Sequence, residues 1–198
     1  LKANNNRHYW QNWLNWQKKD GTMNVKLYWE NIIGYFEEED WLLYEVNDEE
    51  MTAITYIRGD NGSFRVFVWL HGESETLSLS WYFQNSAPPS KRHLVLDLLN
   101  QLNYKLIIGK FAMNPEDGGL AFRISASVTG TRFSTGYFES LWNWGIWRAD
   151  EHYPKFMSLI YGEHTVDEVL DGKEKPQLRL VEKAEEQVEL FEEDEACT

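Results

Sequence analysis

Apolar and polar positions along the chain change period more than once, and each change marks an element. Residues 7–18 carry Trp10, Trp13, Leu14 and Trp16 on a broad arc at helical spacing, closed by Asp20-Gly21, which predicts a short helix. Residues 24–39 set Val25, Tyr28, Trp29, Ile32, Ile33, Tyr35 and Phe36 on one face opposite Glu30, Asn31, Glu37 and Glu38, a second amphipathic helix. The period then drops to two. Strands are expected near residues 42–46, 52–58, 63–71 and 76–83, with Gly59-Asp60-Asn61-Gly62 as a hairpin turn. Leu77, Leu79, Trp81 and Phe83 alternate with Thr76, Ser78, Ser80 and Tyr82, as in a sheet with one buried face.

Pro88-Pro89 closes this region, and Ser90 is placed to cap a helix whose buried stripe is Leu94, Val95, Leu98, Leu99 and Leu102. Strands at 105–114 and 120–129 follow, and the Asp117-Gly118-Gly119 turn makes them an antiparallel hairpin. In the second, Leu120, Phe122, Ile124, Ala126 and Val128 alternate with Arg123, Ser125, Ser127 and Thr129. Ser134 or Thr135 caps a long helix reaching about Tyr161, with a kink expected at Pro154. Phe138, Leu141, Trp142, Gly145, Ala149, Tyr153, Phe156 and Ile160 lie along one face of it. The order α-α-β-β-β-β-α-β-β-α lacks βαβ alternation, so the expected class is α+β, an antiparallel sheet flanked by helices.

Composition narrows the function classes. The 198 residues allow one domain with length left for arms or tails, and 42% apolar content supports a real core. Three parts are expected: an aromatic N-terminal helix or arm at 1–20, a main domain at 21–171, and an acidic tail at 172–198. Residues 182–195 hold eight Glu or Asp against one Lys, the composition of a solvated tail that folds, if at all, on a basic partner. A net charge of −13, with no clustered Lys and Arg, argues against nucleic acid and against an anionic membrane surface. No apolar run approaches the roughly 20 residues that cross a bilayer. The single cysteine, Cys197, gives no internal disulfide and fits a reducing compartment. The expected location is the cytoplasm, or the plastid stroma if an upstream targeting peptide has been removed.

A search for reaction chemistry finds no constellation. His8, His71, His93, His152 and His164 are scattered, with no HExxH and no pair at i,i+4 on one helix. No GxSxG elbow, P-loop or GxGxxG is present. Asp150 and His152 stand two apart, a spacing at which helical side chains do not face each other. Arg123 is a possible anion ligand, but the simpler expectation is pairing with an acidic neighbour on the exposed sheet face. No catalytic, cofactor-binding or metal-binding residues are assigned. What stands out is aromatic surface, with 15% aromatic residues and ten Trp. Trp144 and Trp147 project about opposite the apolar stripe of the long helix, with Tyr137 near them. They are expected either to be covered by the N-terminal helix or to form an interface. Candidate protein-binding residues are Trp10, Trp13, Trp16, Tyr137, Trp144 and Trp147.

The run Asn103-Tyr104-Lys105-Leu106-Ile107-Ile108-Gly109-Lys110-Phe111, then Glu116-Asp117-Gly118, resembles the YbjN family in the version found in cyanobacteria and plastid-bearing lineages. The resemblance continues through Phe122-Arg123 and Asp150-Glu151-His152-Tyr153-Pro154 to Ile160-Tyr161-Gly162, and covers residues 24–102 more loosely. It implies a fold like that of type III secretion chaperones, commonly dimeric, with links to stress responses and regulation and no catalytic residues. The leading expectation is a non-enzymatic, chaperone-like or regulatory module that binds a protein partner or a second copy. The alternatives are a fixed subunit of a larger, photosynthesis-related assembly and a small-ligand sensor.

Overall fold

The computed structural model describes residues 25–172. Helix α1 (Val25–Glu38) is followed by strands β1 (Glu45–Asn47), β2 (Thr52–Arg58), β3 (Ser63–His71) and β4 (Thr76–Ser86). Helix α2 (Arg92–Lys105), strands β5 (Lys110–Met113) and β6 (Gly119–Ser127), helix α3 (Thr135–Tyr161) and helix α4 (Val166–Leu170) complete it. The strands form one antiparallel sheet in the order β1-β2-β3-β4-β6-β5. The class is α+β, as expected. The predicted helix at 7–18 lies outside the described residues, as do Trp10, Trp13 and Trp16.

Alternation places the core on one side of the sheet. Phe64, Val66, Val68 and Leu70 of β3, Leu77, Leu79 and Trp81 of β4, and Leu120, Phe122 and Ile124 of β6 are buried there. The long helix α3 packs across β4 and β6. Gly145 is what lets it approach, because a methyl group at that position would overlap the Trp81 ring. Helix α1 closes one end: Phe36 meets Trp142 edge-on at 4.9 Å and Tyr35 meets Phe138 at 5.0 Å.

Three local expectations need correction, and the structure adds one helix. The first strand is Glu45–Asn47 rather than 42–46, because the preceding residues serve packing: Trp41 packs on Trp142 and the Leu42 carbonyl accepts the Thr55 hydroxyl. Strand β5 shrinks to four residues, since the backbone turns through positive φ at Gly109 before pairing begins. Ser90 does not cap α2. The cap is Lys91, in helical backbone conformation and without a side-chain capping bond, and its ammonium donates instead to the Gly162 carbonyl. Finally, α4 was not anticipated, although Thr165-Val166-Asp167-Glu168 forms a complete capping box. Helix α3 runs on through Pro154, and Ser134 caps it through the Tyr137 amide.

Candidate interaction surfaces

Helix α3 positions the first surface. Residues three and four apart on a helix are neighbours, so Trp144, Trp147, Arg148 and Glu151 form one strip. The two indoles meet at 5.2 Å and 69°, and the Arg148 guanidinium lies 4.5 Å from the Trp144 ring centroid and 4.2 Å from that of Trp147. Such placement over a ring face is attractive and fixes the cation. Arg148 also donates to Glu151 Oε2 at 2.6 Å. Trp144 is half-buried against the edge of the core, and its Nε1 donates to the Ile108 carbonyl at 3.2 Å. It therefore sits at the margin of the buried face rather than opposite it, which corrects the sequence expectation. Trp147 is 50% exposed. The connection that carries Ile108 also leaves Ile107 96% and Tyr104 91% exposed.

Tyr137 does not join this strip. It lies two turns away, on the side of α1, close enough to Tyr28 for its charge to help hold that phenol's pKa up; burial of Tyr28 is the larger cause, and a hydrogen bond from Thr131 opposes both. Behind the strip, His152 is buried with its ring 5.3 Å from Phe111 and Nδ1 3.3 Å from Glu151 Oε2. Burial lowers its pKa, with Lys155 and Arg148 acting in the same direction, and outweighs Glu151, which acts to raise it.

Asp150 has a role that sequence spacing did not reveal. Its carboxylate accepts the backbone amides of Asp60, Asn61 and Gly62 at 3.2, 2.9 and 3.0 Å and the Asn61 side-chain amide at 3.0 Å. The long helix thereby grips the β2–β3 hairpin. Asn103 does a comparable job at the sheet edge, where its side chain both donates to the Phe111 carbonyl and accepts the Phe111 amide, at 3.0 and 2.8 Å.

The second surface is the side of the sheet that no described helix covers. Register sets Glu45, Ile54, Phe67, Ser80, Arg123 and Lys110 in one row across all six strands. Tyr56, Arg65, Tyr82 and Ala121 form the next row, and Asn47, Thr52, Trp69, Ser78 and Ser125 the row on the other side. Tyr56, Trp69 and Tyr82 are exposed, and the Trp69 ring rests 3.6 Å from that of His71. Arg123 reaches Ser80 Oγ at 3.3 Å and, among the described residues, makes no acidic contact, against the expected ion pair. The signal for this face was available in the off-core positions of β2 and β3, where aromatics and Arg65 alternate with the core. Among the described residues, no group of three or more His, Cys, Asp or Glu could hold a metal, and no helix is long and apolar enough to cross a membrane.

The family model of YbjN, described as "Putative bacterial sensory transduction regulator", matches residues 29–157. The chain belongs to the YbjN family. Among solved structures, YbjN from E. coli, described as "a putative transcription regulator", is similar at 15% identity and a TM-score of 0.47, covering 62% of this chain and 91% of that one. A HopA1-SchA chaperone-effector complex chain is similar at 12% identity and 0.46, covering 67% of this chain and 98% of that one. No curated protein sequence matches.

Proposed function

We propose that this protein is a non-enzymatic protein-binding module, chaperone-like or regulatory in action, whose partner docks on the rim around Trp147. The observation that carries this reading is the half-exposed Trp147 with a guanidinium held over its ring and that of Trp144, whose Nε1 bonds the connection that exposes Tyr104 and Ile107. Exposed aromatic and aliphatic groups around a fixed Arg are the composition of an interface centre. Asn103 adds a constraint on the mode. With the Phe111 backbone occupied, a partner engages side chains here rather than adding a strand to β5.

The test is capture from native extract with the tagged full chain, comparing wild type with Ile107→Asp and Trp147→Asp. A specific protein recovered with wild type and lost with both variants, at unchanged thermal stability, supports the reading. Recovery that ignores both substitutions refutes it. Size-exclusion of the same extract separates reversible binding from a fixed subunit, which would run only as a stable high-mass assembly.

A further inference from the structure

The open sheet face holds an electrostatic problem that the described residues leave unsolved. Lys110 and Arg123 are direct cross-strand partners on that face, and like charges opposite each other are destabilising. Arg65 stands nearby between Tyr56 and Tyr82, and Arg58 lies farther along β2 on the same side. None of these four cations makes an ion pair among the described residues, and Glu45 is the one acid in their rows. In a chain of net charge −13, an unpaired basic stripe beside exposed aromatics is anomalous.

We propose that the chain's own acidic segment, residues 182–195, docks across this face. Its eight acids match the stripe in sign, and Leu190 and Phe191 suit the aromatic half around Phe67 and Trp69. Nine residues lie between Gly172 and Glu182, ten Cα–Cα steps that span up to about 35 Å when extended, enough to pass from the helix side around the sheet. The other terminal segment has the wrong charge: residues 1–24 carry Lys2, Arg7, Lys18 and Lys19 against Asp20 alone. The tail thus serves as a built-in cover, and an acidic partner segment would have to displace it. This surface is separate from the Trp147 rim, so the two readings stand or fall independently.

Cys197, two residues beyond the acidic run and the chain's single cysteine, offers the probe. A nitroxide is attached there in the full-length isotope-labelled chain, and paramagnetic broadening is read along the backbone. At an ionic strength of about 0.01 M, where charges act over about 30 Å, the Arg65, Ser80 and Arg123 amides lose most of their intensity. The amides of Leu96 and Asp97 on the outer side of α2 keep theirs. The loss reverses in about 1 M salt, where the range falls to about 3 Å, and in the E189Q/E192Q/E193Q chain. The R65E/R123E chain gives a second check if it folds. Broadening absent from the open face, equal on α2, or unchanged in the glutamine variant overturns the proposal. So does broadening that transfers to an isotope-labelled Cys197→Ser chain mixed with spin-labelled, unenriched chain, which would assign the face to a second copy. A single-stranded oligonucleotide binding those amides while the label leaves them untouched would assign it to nucleic acid.

Discussion

On β3, Phe64, Val66, Val68 and Leu70 are sealed in the core, while Arg65, Phe67, Trp69 and His71 alternate with them and face away. Two surfaces only one strand thick are built to different ends. The covered face is filled to the point that one glycine on α3 is needed to admit a tryptophan from β4. Among the described residues, the open face has aromatics that no helix covers and cations that make no ion pair. Large apolar groups on the first are sealed in the core; on the second Tyr56, Trp69 and Tyr82 stay exposed.

Tryptophan itself gives the sharpest test, since Trp81 and Trp69 are one residue type on opposite faces. Trp81→Ala leaves a void between β4 and α3 and is expected to cost about 3–5 kcal/mol, seen as a lower midpoint in urea unfolding. Asp150→Ala removes four hydrogen bonds to the β2–β3 hairpin. Because the freed amides gain access to water, the expected cost is about 2 kcal/mol, with faster hydrogen exchange confined at first to that hairpin.

His152 links the covered face to pH. Its folded pKa is depressed by burial, so between that value and the unfolded value of about 6.5 only the unfolded chain takes up the proton. Its contribution is therefore complete above about pH 6.5 and is lost as pH falls toward the folded pKa. Thermal melts from pH 7 to 5 should show a smaller decline in His152→Gln than in wild type. Trp69→Ala is the mildest change, under about 1 kcal/mol in the same urea assay. A loss comparable to that of Trp81→Ala would mean that the open face is a second core, and the contrast drawn between the faces would collapse.

Most of the sheet was legible because the period-two pattern is strict where one face is buried. Strands β2 and β3 begin and end where alternation and the Asn61-Gly62 turn put them. Shorter elements escaped for identifiable reasons. At Ser90 a favourable capping residue was available, but the backbone turn from Pro88 to Lys91 moved the helix start one residue on. Trp144 was misjudged because a helical projection gives direction around the axis and not what packs alongside; the loop carrying Ile108 supplies the cover. The Asp150 grip was invisible for a different reason. Its partners lie about ninety residues away, and a carboxylate on a helix surface looks the same whether it meets water or a hairpin. The run from Asn103 to Gly119 acts largely as scaffold: Asn103 ties Phe111, Asp117 caps the Gly119 amide, and Gly118 at positive φ passes against the Ala87 carbonyl.

The clamp that Asn103 places on Phe111 also bears on how copies of this protein tolerate crowding. A free strand edge is a template on which identical chains stack, and a flat hydrophobic one invites fibril growth. Here the side of β5 that would receive another strand has its central amide and carbonyl already spoken for by an asparagine side chain, and the opposite edge is a three-residue strand bearing Glu45 and Asn47. Growth of the sheet by addition of further copies is thus discouraged at both ends, whatever aromatic surface the faces expose.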